Sequence, residues 1–169
     1  MNAIRKILVP TDFSSHADEA YRVAQTLARA VGAEVVLFHV ARPPAVVSKD
    51  GRLLTDPAKS EATNLWERFH GMQSGDPKVR VGHEVIVSDR PGANHVLEIL
   101  DRLGCDLIVM GTHGGSWLKH RLFGSVTEEV VRRARCPVMV VKAPAQQAAP
   151  VAHPPGLPGT TKAEDAHAG

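Results

Sequence analysis

The feature that most constrains this chain is an alternation: apolar runs of strand length, each closed by turn residues, are separated by segments with helical spacing. Residues 4–10 (IRKILVP), 34–40 (EVVLFHV), 79–87 (VRVGHEVIV), 106–110 (DLIVM) and 137–141 (PVMVV) read as strands, and the partial alternation of the third suggests that it lies nearer a sheet edge than the first or fourth. Between the first two, Thr11-Asp12-Phe13-Ser14-Ser15 turns into a helix. Ser15 with Asp18 has the shape of a capping box, Ala20, Val23, Ala24, Leu27 and Val31 recur on one face, and Gly32 ends it. A loop with Pro43, Pro44 and Gly51 follows. Pro57 opens a second helix with Ala58, Ala62, Leu65, Phe69 and Met72 on its apolar face, and Gly75-Asp76-Pro77 turns the chain. Pro91 starts a third helix that buries Val96, Ile99, Leu100 and Leu103 and stops at Gly104; a fourth begins at Ser125, with Val126, Val130 and Ala134 inward.

Strand-helix alternation with crossover-length helices demands an α/β fold, a mostly parallel, doubly wound sheet covered by helices on both faces. Ligands in such sheets bind at the carboxyl ends of the strands, where the winding direction reverses. If the first and fourth strands are neighbours there, Pro10-Thr11-Asp12 faces the connection from Gly111 to Ser125. That connection follows Met110 and carries Gly111, Gly114 and, after nine residues, Gly124-Ser125. Glycines let backbone N–H groups approach a ligand, and a helix N-terminus adds unpaired donors and a positive dipole end, so an anion fits there. Taken alone, the same glycines serve equally well as a strain-free connection. Ser125 with Glu128 is a capping-box pattern, Asp12 has the alternative of bonding the turn after it, and Lys119, His120 and Arg121 suit any exposed loop as well as a phosphate chain.

Composition narrows the function. A length of 169 residues, 43% hydrophobic content and a net charge of +2 describe one globular domain, without the basic excess of a nucleic-acid binder. No apolar run approaches the ~20 residues that cross a bilayer, and the first run meets Pro10 before it could serve as a signal-peptide core, so cytoplasmic residence is expected. Cys105 and Cys136 sit at the entrances of apolar runs, as small buried hydrophobes do, and no metal-ligand spacing is present. Neither a G-x-x-x-x-G-K-[ST] loop nor G-x-G-x-x-G occurs, and the stretch 111–125 holds no Asp or Glu to serve as a hydrolytic base. Residues 143–169, with five of the twelve prolines and Val151 and Leu157 as their only large apolar side chains, read as a disordered tail after a domain of residues 1–142.

The Gly111-x-x-Gly114, nine-residue, Gly124-Ser125 spacing after a strand ending in methionine resembles the nucleotide-binding signature of the universal stress protein family. The opening KILVPTDFS, Leu37-Phe38-His39-Val40, and Arg135-Cys136-Pro137-Val138 match the family too, so the resemblance covers about residues 2 to 142. It implies a five-stranded sheet of order 3-2-1-4-5, a Rossmann-like fold of the adenine nucleotide alpha hydrolase kind, with ATP in the switch-point cleft. Carried over, Pro10, Thr11 and Asp12 line the adenine or ribose side and Val40 meets adenine through its backbone. Gly111, Gly114, Gly124 and Ser125 cradle ribose and phosphates; Met110, His113, Val126 and Thr127 complete the pocket. Mg²⁺ arrives with ATP, held by phosphates and a hydroxyl such as Ser125 or Thr127. Gly115 stands where many relatives carry a basic or polar residue. The resemblance implies a nucleotide-dependent regulatory protein in the stress response, homodimeric through the last strand; slow ATP hydrolysis or autophosphorylation on Ser125 or Thr127, and a nucleotide-free scaffold, are the rival functions.

Overall fold

The computed structural model describes residues 3–42, 61–72, 76–90, 92–112 and 124–142. In chain order these form β1 (Lys6–Pro10), α1 (Ser15–Val31), β2 (Glu34–Ala41), α2 (Glu61–Gly71), β3 (Val81–Val87), α3 (Ala93–Leu103), β4 (Leu107–Gly111), α4 (Ser125–Arg133) and β5 (Val138–Val141). All pairings are parallel and the sheet order is β3-β2-β1-β4-β5, as the resemblance implied. Residues 43–60, with Pro43, Pro44, Gly51 and Pro57, residues 73–75, with Gly75, Pro91, the stretch 113–123 and the tail from 143 lie outside the described residues.

Side chains alternate across the strands, so each strand feeds two cores. Ile7, Val9, Val35, Leu37, Leu107 and Val109 pack with α1 and α2 on one face. Leu8, Val36, Phe38, Ile108 and Met110 pack with α3 and α4 on the other. The chain moves outward from β1 through β2 to β3 and then crosses to β4, so the helices change face between β1 and β4. A notch therefore opens at the carboxyl ends of those two strands.

The apolar stripe of α1 differs from the one the spacing suggested. Ala17, Ala20, Tyr21, Ala24 and Ala28 are its buried positions, Val23 and Leu27 are only partly covered, and Val31 is 52% exposed. Small side chains face the sheet because they let the helix backbone approach closely, which outweighs the larger apolar area of valine and leucine. The cap is also one residue earlier than the capping-box pattern indicated: Ser14 Oγ accepts from the N–H of Ala17. At the opposite end of the sheet from the notch, the backbone N–H groups of Arg5 and Lys6 donate to Asp106 Oδ2 at 2.8 and 3.0 Å. Those donors favour the ionised form and hold the Asp106 carboxyl below the usual carboxylate range. Cys105 is buried at that end, and burial pushes its thiol up to about 11; the Cys136 thiol is raised for the same reason.

His83 on β3 lies against Phe69 of α2, ring centroids 4.8 Å apart, and its Nε2 is buried with no hydrogen-bond partner among the described residues. Burial, with a smaller contribution from His70, lowers its pKa from the ordinary histidine value. The unfolded chain then binds the proton more readily than the folded one, so stability is fully present above the unfolded pKa of about 6.5 and falls as the pH drops through it. Urea unfolding should show a lower midpoint at pH 5.5 than at pH 8, and His83→Phe should flatten that difference; an unchanged pH slope in the variant would exclude His83 as its source.

Candidate functional site

The loop leaving β1 is fixed by four bonds. The Thr11 N–H donates to the Phe38 carbonyl at 2.8 Å, extending the ladder by one residue past Pro10. The buried Thr11 hydroxyl accepts from the N–H of Phe13 at 2.9 Å, and Asp12 Oδ1 accepts from the N–H of Ser14 at 3.1 Å. His39 Nδ1 lies 2.8 Å from the Thr11 carbonyl. A carbonyl only accepts, so Nδ1 is the protonated nitrogen. Asp12 thus makes the turn bond that its sequence context allowed. Its side chain is nonetheless exposed, just beyond the carboxyl end of β1.

Val40 occupies the next place in the wall. Phe38 directs its carbonyl toward β1, while the Ala41 carbonyl accepts from Ser88 on the β3 side. Backbone groups alternate sides along a strand, so Val40 directs its N–H and C=O toward β1. Yet β1 pairs with β2 only as far as Pro10 with Phe38. The Val40 backbone groups therefore point into the space beyond the end of β1.

Across the notch stands the end of β4. Met110 is buried on the α3/α4 face. A Cβ on Gly111 would come within 2.9 Å of the carbonyl carbon, oxygen and Cβ of His16, so glycine here is required by the first turn of α1 crossing the strand end. Thr127, 4% exposed, donates its hydroxyl to the Gly111 carbonyl at 3.0 Å. Thr112 donates its N–H to Val141 and accepts one from Gly124 at 2.8 Å. These bonds tie the end of β4, the start of α4 and the end of β5 into one unit. His113 and Gly114 lie in the undescribed stretch 113–123.

Two expectations for α4 are corrected. Gly124, in extended conformation, is the N-cap and no side chain caps the helix; Ser125 is the first helical residue, so the capping box with Glu128 does not form. Val126 is not inward: it is 36% exposed, and Thr127 takes the buried place because its hydroxyl has a partner in Gly111. The first intrahelical bond runs from Glu128 N–H to Gly124, so the N–H groups of Ser125, Val126 and Thr127 have no intrahelical acceptor. With the helix dipole they form an anion-attracting end directly beyond β4. Among the described residues no group of three or more His, Cys, Asp or Glu could hold a metal ion, and no described helix is long and apolar enough to cross a membrane.

Phe13, His16, His39 and Thr112 were not singled out by residue type.

Comparison with known proteins bears on the fold and the family. The pattern of the Universal stress protein family matches residues 3–142. Universal stress protein MJ0531 of Methanocaldococcus jannaschii is 33% identical over 150 residues, 86% of this chain and 86% of its own length. The fold matches that of universal stress protein UspA from Lactobacillus plantarum with a TM-score of 0.66 at 22% identity, covering 83% of this chain and 99% of that one. It also matches a universal stress protein solved in complex with cAMP, with a TM-score of 0.56 at 24% identity, covering 85% and 100%. With the family pattern running from three residues before β1 through the last strand, and a relative at this identity across most of its length, this chain belongs to the universal stress protein family.

Proposed function

We propose that the notch binds an adenine nucleotide, ATP with Mg²⁺, and that its occupancy tunes the affinity of this protein for partners in a cytoplasmic stress response. The observation that carries the reading is an opposition. On one side the Val40 backbone pair points past the end of β1, beside the Asp12 carboxylate; on the other the N–H groups of Ser125, Val126 and Thr127 open toward the same space. A backbone N–H and C=O side by side suit the edge of adenine, a carboxylate suits ribose hydroxyls, and a helix N-terminus suits phosphates. A family member of the same fold was solved with cAMP, which supports the adenine assignment. Gly124 and Gly111 frame the phosphate side, with His113 and Gly114 between them in the sequence. Mg²⁺ would be held by the phosphates and the exposed Ser125 hydroxyl, since the Thr127 hydroxyl is buried against Gly111. The test is titration calorimetry with ATP and Mg²⁺: one nucleotide per chain is expected, and no heat at millimolar ATP with folded protein overturns the reading.

The reading includes a homodimer across β5. Ile108 and Thr112 donate to the carbonyls of Pro137 and Val141, so odd residues of β5 face β4 and Val138 and Val140 direct their backbone groups outward. Val140→Pro removes an outward N–H and leaves the bonds to β4 intact. Sedimentation should show a dimer for the parent protein and a monomer for the variant; a variant that remains dimeric excludes this edge.

A further inference from the structure

Phe13 is the one non-glycine residue with positive φ among those described, at +60°. A bulky side chain in that region is strained, and such a conformation persists only where surroundings enforce it. Here they are specific. The Phe13 ring lies 4.7 Å from the His39 ring and 5.3 Å from that of Phe69, and the Arg68 guanidinium sits 4.1 Å above its centroid. Two of those contacts come from α2 and one from β2, so the turn after β1 is gripped by elements distant from it in the chain. The other flank of Asp12 is equally held, with Thr11 bonded through its N–H to Phe38 and through its carbonyl to His39. Between these anchors Asp12 has little freedom. We infer that Phe13 is a positioning residue for the nucleotide site: the ring, clamped against α2, keeps the backbone left-handed and thereby fixes the direction of the Asp12 carboxylate. This rests on the nucleotide reading above. Without the ring, the 12–13 peptide relaxes to negative φ and rotates the carboxylate away from the notch.

The experiment is a double-mutant cycle on ATP affinity in the full chain, using Phe13→Ala, Asp12→Ala and both together, with melting temperatures recorded for each. Phe13→Ala should bind ATP about tenfold more weakly, the loss of one hydrogen bond to a charged group. In the Asp12→Ala background the same change should have less than about a twofold effect, because the group it acts through is gone. Phe13→Tyr, which keeps the ring, should bind as the parent does. If Phe13→Ala does not fold, Phe13→Leu takes its place, since it retains apolar bulk without the cation contact. An equal loss in both backgrounds, or no loss from removing the ring, overturns the inference while leaving nucleotide binding by the parent intact; a parent that binds no ATP removes the site reading itself.

Discussion

Gly111→Val is expected to lower stability by about 3 kcal/mol, at the upper end for overpacking, and to abolish ATP binding. The added Cβ meets backbone atoms of His16 at 2.9 Å, and a backbone cannot step aside as the tip of a side chain can. Either α1 lifts from the sheet, uncovering the alanines at 17, 20 and 24, or the end of β4 moves and breaks the Thr127 bond to the Gly111 carbonyl. The first route displaces the turn that carries Asp12; the second displaces the start of α4. Both dismantle the notch. Thermal unfolding should show a drop of roughly 10 °C for a domain of this size. Gly82→Ala on β3 is the control: a Cβ there meets nothing within 4 Å, so the melting temperature should stay the same or rise slightly. A Gly111→Val protein as stable as the parent would refute the close crossing of α1 over β4.

The comparison of those two glycines shows where the sequence stops being informative. Gly111 closes one apolar run and Gly82 interrupts another; the glycine spacing marked Gly111 as a ligand-facing position, but only the approach of a helix from 95 residues away makes it indispensable to packing. The alternation of periods was legible because burial on two faces imposes it on every strand, so the parallel, doubly wound class followed from topology; the sheet order came from the family resemblance, and the facing of the loops after β1 and β4 depended on it. Helix faces were less so. In α1 the larger valine and leucine side chains suggested a stripe rotated from the real one, because close packing on the sheet selects alanine there. At the start of α4 the spacing favoured Val126 inward, but a hydrogen bond between Thr127 and Gly111 turned the helix the other way, and such a bond leaves no periodic trace. Asp12 and Ser125 were legible as residue types. The conformations that aim them, a left-handed Phe13 and a glycine N-cap, arise from contacts with α2 and with Thr112.

Ser125→Pro is expected to separate nucleotide binding from folding at the phosphate end of the notch. Ser125 is the first residue of α4, the one helical position where proline is favoured: the missing N–H has no intrahelical acceptor and the ring pre-sets the required φ. The residue before a proline must be extended, and Gly124 already is, with φ −64° and ψ 153°. The exposed Ser125 side chain caps nothing, so its loss leaves α4 intact. Stability should therefore be unchanged or up to about 1 kcal/mol higher, since proline restricts the unfolded chain. Affinity should fall, because the substitution removes a backbone donor and a hydroxyl from the anion-binding end, and hydrogen bonds to charged groups contribute about 1.5–3 kcal/mol each. An ATP dissociation constant raised roughly 100-fold or more, with adenosine affected far less, is the expected pattern. Equal losses for ATP and adenosine would mean that the start of α4 does not meet the phosphates, and the nucleotide would then have to be oriented the other way in the notch.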